Sequence, residues 1–200
     1  MLEMGFREKM EEILSHTPTT RQTALFSATF PSTIVSLSRR FQNDPEHVVV
    51  ETPATALPEI EQLLFRCNQE HKADALIAFL ATRRLDSVLV FCNQKARVDE
   101  LVARLSTVGI GVDRIHGDLE QHERDRAMAK FRNQSTRVLV ATDVAGRGID
   151  IAGLDAVVNF DMPAEPEQYV HRIGRTGRAG LKGLAVTFVT HAEGSKIERL

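Results

Sequence analysis

Arg137-Val138-Leu139-Val140-Ala141-Thr142-Asp143-Val144-Ala145-Gly146-Arg147-Gly148-Ile149-Asp150 is the stretch whose reading decides the fold. A short apolar run, long enough for a strand and too short for a helix, ends in a threonine and passes into small residues, arginine and acids. Such a run, set among others separated by helical segments, is the pattern of a parallel sheet flanked by helices. In open α/β sheets ligands bind outside the carboxyl ends of the strands, which is where the loop after Thr142 must lie.

Working outward, the spacing predicts strands over residues 60–67, 88–92, 112–115, 137–141, 156–160 and 184–189. Between them Ala73, Leu76, Ile77 and Leu80 recur at i, i+3, i+4 and i+7, as do Val98, Leu101, Val102 and Leu105, so each set lines one helix face that packs on the sheet. Upstream, residues 51–59 hold Pro53 and Pro58 without amphipathic period and read as a linker. Residues 1–50 predict a helix with Phe6, Met10 and Ile13 on one face, a strand over 23–26, a helix after Pro31 and a strand over 48–50. Four elements are too few to enclose a sheet core, so this piece reads as part of a domain. Residues 195–200 form a helix-like run with no capping residue after it, and both ends read as cuts.

Composition narrows the class. The chain has 200 residues, 42% of them apolar and 26% charged, and its 27 acidic and 25 basic side chains nearly balance. No global positive field draws in nucleic acid, so any nucleic-acid site must be a local patch. Cys67 and Cys92 each fall in an apolar run and lack metal-ligand spacing, which predicts two buried free thiols. No signal peptide and no apolar run near 18 residues is present, and the expected location is cytoplasmic.

Four segments carry chemistry. In His171-Arg172-Ile173-Gly174-Arg175-Thr176-Gly177-Arg178-Ala179-Gly180, arginines recur every third residue with glycines between them. Arginine offers a planar, permanently charged fork to phosphate oxygens, and glycine lets backbone approach a ligand, so the segment asks for a polyphosphate. The loop after Thr142 is the second. The third is His116-Gly117-Asp118 with Gln121 and Arg124 in the next helix, and the fourth is Ser27-Ala28-Thr29 after the strand at 23–26. Read alone, the third is equally a helix opening with a polar turn, and the fourth reads more readily as a helix cap.

In this order the segments resemble the superfamily 2 helicases, and specifically the DEAD-box family, over essentially the whole chain. Ser27-Ala28-Thr29 resembles motif III, Val90-Phe91-Cys92-Asn93 motif IV, Gln121 and Arg124 motif IVa, Thr142 through Asp150 motif V, and His171 through Arg178 motif VI. The resemblance implies an α/β fold: a RecA-like parallel sheet sandwiched by helices over residues 60–200, preceded after the 51–59 linker by the C-terminal remnant of a first RecA-like domain over 1–50. It implies that Arg175 and Arg178 act as arginine fingers on ATP, that Gly148 and Asp150 contact the nucleotide, with Asp150 on the ribose hydroxyls, and that His171 couples to Ser27 and Thr29. Gly117, Arg124 and Thr142 map to positions that grip the RNA backbone, where contacts carry no sequence information. Departures are Gly146, where alanine is common, and Asn133-Gln134, which replaces a glycine-containing turn.

No glycine is followed by lysine, so there is no GxxxxGK[ST] loop, and no DEAD tetrapeptide occurs. Residues 1–6 resemble the stretch that directly follows that tetrapeptide. The resemblance therefore places the phosphate cradle and the Mg2+ ligands in a missing N-terminal RecA-like domain, and this chain is not expected to hydrolyse ATP alone. The expected parent is a monomeric RNA helicase that separates duplexes or remodels RNA–protein complexes. Alternative readings are a superfamily 2 DNA helicase or translocase, and a stand-alone nucleic-acid-binding module. Residues 117–121 further resemble the bacterial DbpA-like subgroup, which adds a C-terminal RNA-binding domain.

Overall fold

A computed structural model of the chain describes residues 7–27, 30, 32–50, 59–146, 153–177 and 182–197. The chain divides into two compact units, Met1–Thr52 and Pro53–Leu200.

The second unit is built on one six-stranded sheet: β1 (Ile60–Arg66), β2 (Val88–Cys92), β3 (Val112–Ile115), β4 (Val138–Thr142), β5 (Ala156–Asn159) and β6 (Gly183–Val189). The spatial order is β1-β6-β5-β2-β4-β3 and every neighbouring pair is parallel. Four of the six predicted strands differ from the observed ones by a residue at an end, β4 at both ends, as ladder pairing rather than hydrophobicity sets where a strand stops. Helices α3 (Lys72–Thr82), α4 (Lys95–Thr107), α5 (Gln121–Arg132), α6 (Asp143–Gly146), α7 (Pro166–Ile173) and α8 (Gly194–Ile197) alternate with the strands.

Because side chains alternate across a strand, the central strands feed two cores. Val88, Val90 and Cys92 join Leu76, Phe79 and Leu80 of α3 and Val98, Leu101 and Leu105 of α4. Leu89 and Phe91 join Ala127 and Phe131 of α5 and Ala145 of α6 on the opposite face. Both predicted helix stripes thus lie against the sheet, with Ala73, Ile77 and Val102 partly covered at its margin.

The chain crosses from one side of β2 to the other between β4 and β5. In register, Phe91 stands opposite both Ala141 and Asn159, and Cys92 opposite Thr142. The carboxyl ends of β5, β2 and β4 therefore open side by side at a topological switch point, the usual ligand-binding place of such sheets.

The turn between α5 and β4 explains one departure noted in the sequence. Gln134 has φ +62°, a left-handed conformation that suits glycine, and the Asn133 side chain accepts the Ser135 N–H at 3.0 Å to brace it.

The first unit holds α1 (Arg7–Ser15) and α2 (Ser32–Phe41). Phe6, Thr29 and Pro31, on which parts of its reading rested, lie outside the described residues. The two predicted strands are a correction: residues 23–26 and 48–50 belong to no ladder. Residues 23–26 keep the expected alternation, Thr23 and Leu25 being more covered than Ala24 and Phe26, but a strand exists only when a neighbour takes its N–H and C=O groups. The α1 stripe is a correction too, since Ile13 is exposed. In this unit Leu37 of α2 is buried, and polar contacts add to it: Gln42 donates to the Thr23 carbonyl at 2.9 Å, and Arg40 reaches Glu11 at 2.5 Å.

Cys92 is buried in β2, and burial pushes its thiol far up from the ordinary range. Cys67 corrects the reading of two buried thiols: it lies just past the end of β1 and is only half-buried. Both are free.

Candidate functional site

The site is organised by a residue that the sequence reading passed over. Of the three spaced arginines, Arg172 is 2% exposed. It sits in the last turn of α7, a helix that Pro166 opens at a position where a missing N–H costs nothing. Its Nε and Nη2 donate to the two carboxylate oxygens of Asp143, each at 2.7 Å, as a bidentate fork. Nη2 also donates to Asn93 Oδ1 at 2.8 Å, and Nη1 to Asn159 Oδ1 at 3.2 Å and to the Asp161 carbonyl at 2.8 Å. All five guanidinium N–H groups are used, and the guanidinium stands 5.2 Å from the centre of the Phe91 ring.

These partners end β5 or follow β2, β4 and β5, so one side chain ties α7 to three strand ends at the switch point. The network is closed further out: Asn159 Nδ2 donates to the Thr187 hydroxyl at 3.1 Å, and the Asn93 backbone N–H to Asp161 Oδ2 at 3.0 Å. An isolated buried guanidinium would be prohibitive in cost, and only such complete pairing permits it. Arg172 was visible as part of the arginine repeat. Its inward direction was not, because period alone does not tell which of three arginines meets the sheet.

His171, exposed, and Arg175, half-buried, flank this anchor and line a shallow cleft with Phe91, Asp143, Gly146 and Arg172. The segment carrying them is pinned. The Thr176 hydroxyl donates to the Leu154 carbonyl, and Thr176 is fully buried. Gly177 takes φ +69° and lies so close to β6 that a Cβ on Gly183 would come within 2.6 Å of its nitrogen. A Cβ at Gly146 would stand 2.6 Å from Phe91 Cε1, so the alanine common at that position would require the ring to move.

The other predicted positions divide by place. Thr142, buried, ends β4. Gly117 lies in the turn after β3, whose Ile115 pairs with Ala141, so Gly117 and Thr142 leave the same edge on neighbouring strands. Arg124 is half-buried in the first turn of α5. The Gly117 turn is held by α4 from two sides. His116, buried, has Nε2 3.3 Å from Asp99 Oδ1 while its Nδ1 accepts the Asp118 N–H at 3.4 Å, and Lys95 pairs with Asp118. The hydrogen bond from the Lys95 ammonium holds the exposed Asp118 carboxyl below the usual carboxylate range. Among the described residues, only Lys95 atoms at 3.7–3.8 Å stand where a Gly117 side chain would go.

Ser27 is exposed in the first unit, where it lines an open trough of about 1370 Å³ with Phe26, Phe41 and Val50. That trough is the uncovered side of extended segments, without the enclosure of a ligand pocket. Thr29, Gly148, Asp150 and Arg178 lie outside the described residues. Among the described residues no group of three or more His, Cys, Asp or Glu side chains stands together to hold a metal ion, and no helix is long and apolar enough to cross a membrane.

Comparison with known proteins places this geometry. Residues 71–180 match the helicase conserved C-terminal domain family. The DEAD-box ATP-dependent RNA helicase CshA of Geobacillus kaustophilus is 46% identical over 193 residues, which are 96% of this chain and 41% of that protein. The chain thus spans about two fifths of the length of that relative. Among solved structures, the Escherichia coli DEAD-box protein SrmB bound to regulator of ribonuclease activity A is 38% identical, with TM-score 0.67 over 70% of this chain and 84% of that one. Saccharomyces cerevisiae Dbp5 bound to RNA and ADP BeF3 is 33% identical, with TM-score 0.85 over 97% of this chain and 51% of that one. The chain therefore belongs to the helicase conserved C-terminal domain family and, within it, to the DEAD-box proteins.

Proposed function

We propose that the protein of which this chain forms part couples ATP hydrolysis to RNA duplex unwinding or RNA–protein remodelling, and that the chain supplies one half of each binding site. The observation that carries this reading is the Arg172 anchor, which fixes the arginine-bearing segment at the switch point of the sheet. The similarity to a structure that binds RNA and ADP BeF3 supports it.

In this reading residues 60–200 are the second RecA-like domain, 51–59 a linker and 1–50 the end of the first. Arg175 and Arg178 are the fingers: permanently charged forks set against the γ-phosphate as negative charge develops there. Such a group is worth roughly 10³ to 10⁵ in rate. Arg172 differs in task, because a guanidinium with every N–H engaged has no donor left for a nucleotide; it holds the fingers' backbone. Gly148 and Asp150 meet the nucleotide, Asp150 at the ribose hydroxyls, and His171 carries the state of the nucleotide to Ser27 and Thr29 of the other domain. Gly117, Arg124 and Thr142 grip the RNA sugar-phosphate backbone from the neighbouring strand ends, so recognition is blind to sequence. The open space over Gly117 lets a backbone approach. Mg2+ would be held by the N-terminal RecA-like domain. The protein works as a cytoplasmic monomer.

The test is steady-state ATP turnover of the full-length protein without nucleic acid, with single-stranded RNA and with single-stranded DNA. RNA alone should stimulate; equal stimulation by DNA would make it a general superfamily 2 translocase. Arg178→Ala should lower turnover at least about a hundredfold with the fold intact, and turnover within about threefold of the unsubstituted protein would sink the finger assignment.

A further inference from the structure

A second cation is buried at the same edge of the sheet. Lys72, the first residue of α3, has no exposed surface. Its Nζ donates to the Phe160 carbonyl at 3.2 Å and to Glu193 Oε2 at 3.4 Å. That carboxylate is fixed in turn by the Thr190 backbone N–H and hydroxyl, both at 2.9 Å. Burying an ammonium costs more than a long, partly exposed ion pair returns, and an apolar side chain of the same length is often neutral or better. Stability by itself gives no reason for a lysine here.

The reason lies in what the lysine holds. After β5, three successive carbonyls are each taken by a different side chain: Phe160 by Lys72, Asp161 by Arg172 at 2.8 Å, and Met162 by Asn93 Nδ2 at 2.9 Å. The N–H groups of Phe160 and Asp161 both donate to the Phe91 carbonyl, at 3.0 and 3.3 Å. Residues 160–162 are thus a strip stretched between two buried cations, and the bond that Arg172 makes to Asp161 is only as well placed as the strip.

We infer that Lys72 is a positioning residue for the arginine-bearing segment, acting through residues 160–162 on Arg172 and thereby on Arg175. The inference rests on the function proposed above for its kinetic consequence, though not for the link itself.

Two readouts separate the two. In the 200-residue chain, the Arg172 Nε–H resonance, assigned by its loss in Arg172→Lys, reports the anchor directly. Lys72→Met should speed its exchange with water at least about fivefold while the circular dichroism spectrum and unfolding midpoint hold. Lys72→Arg, which keeps a donor for the carbonyl, should stay within about twofold of the unsubstituted chain. Unchanged exchange in Lys72→Met overturns the link, and so does its failure to fold, which would make the lysine a general stabiliser. In the full-length protein Lys72→Met should lower kcat for RNA-stimulated ATP turnover about five- to twentyfold with KM for ATP within about twofold, and Lys72→Arg should restore it. A raised KM at unchanged kcat overturns the positioning role. Absence of turnover in the unsubstituted protein overturns the helicase reading instead, and the exchange result still decides the link.

Discussion

Val48-Val49-Val50 and Val88-Leu89-Val90 are nearly the same tripeptide with opposite fates. In the first unit the three valines are 74%, 67% and 86% exposed and belong to no ladder; in the second the three residues are wholly buried in the centre of a sheet. Local preference for extended backbone is at least as strong in the first place as in the second. The difference is supplied by neighbours: β2 has β4 and β5 to take its backbone groups and helices on both faces, whereas residues 48–50 have no ladder partner. An apolar run states that a strand is possible, and only the surrounding sheet makes it one.

The contrast extends to charge. The second unit buries an arginine and a lysine; α1 of the first unit buries no residue at all. The sharpest way to break the comparison is to remove the buried charge. Arg172→Met leaves the Asp143 carboxylate, two asparagine oxygens and a carbonyl without their donor, and should cost about 3–5 kcal/mol in urea unfolding. A loss under about 1 kcal/mol would mean that the anchor is far less buried in solution than its contacts require.

Next in size is the matched pair. Leu89→Ala should destabilise by about 2–5 kcal/mol through lost burial and an unfilled cavity. Val49→Ala should stay within about 0.5 kcal/mol, as exposed substitutions do. Similar losses at the two sites would show that residues 48–50 are covered in solution.

The cysteines sharpen the comparison inside the second unit. Cys67, at the end of the edge strand β1, should react with a thiol reagent at least about tenfold faster than Cys92 in the centre of the sheet. Burial raises both thiols above the ordinary range, so both reactions should be slower than with a free cysteine. Equal rates in the folded chain would show that β2 opens as easily as the sheet edge.

The smallest effect concerns one turn. Gln134 occupies a left-handed conformation that costs an L-residue about 1–2 kcal/mol. Gln134→Gly should therefore raise stability by about 0.5–1 kcal/mol after its greater freedom in the unfolded chain is counted. No gain would mean that the brace from Asn133 to Ser135 already offsets the strain.

The α/β class, the six strands of the second unit and the inward faces of α3 and α4 were all legible in the sequence, because buried strands and amphipathic helices each leave a local period. The family was legible in the spacing of Arg172, Arg175 and Arg178 among glycines. Local pattern failed in particular places. It promised ladders at 23–26 and 48–50 that do not form, it put Ile13 on an inward stripe of α1 although it is exposed, it put Cys67 inside when the strand stops one residue earlier, and it took Arg172 for one more member of a phosphate-binding repeat.

Those failures share a physical cause. Periodicity reports what a segment is able to bury, and spacing reports which chemistry a segment carries; both are local and both are readable along the chain. Which arginine turns inward, which carbonyl a lysine 88 residues away will hold, and whether a strand finds a neighbour depend on contacts between residues far apart in sequence. Arg172 reaches across 29 residues to Asp143 and 79 to Asn93, and Lys72 across 88 to Phe160. The amino-acid sequence by itself determined the fold class and the order of the chemical segments. Only the tertiary structure decided which side chains are anchors, because the strand order β5-β2-β4 brings their partners to one edge.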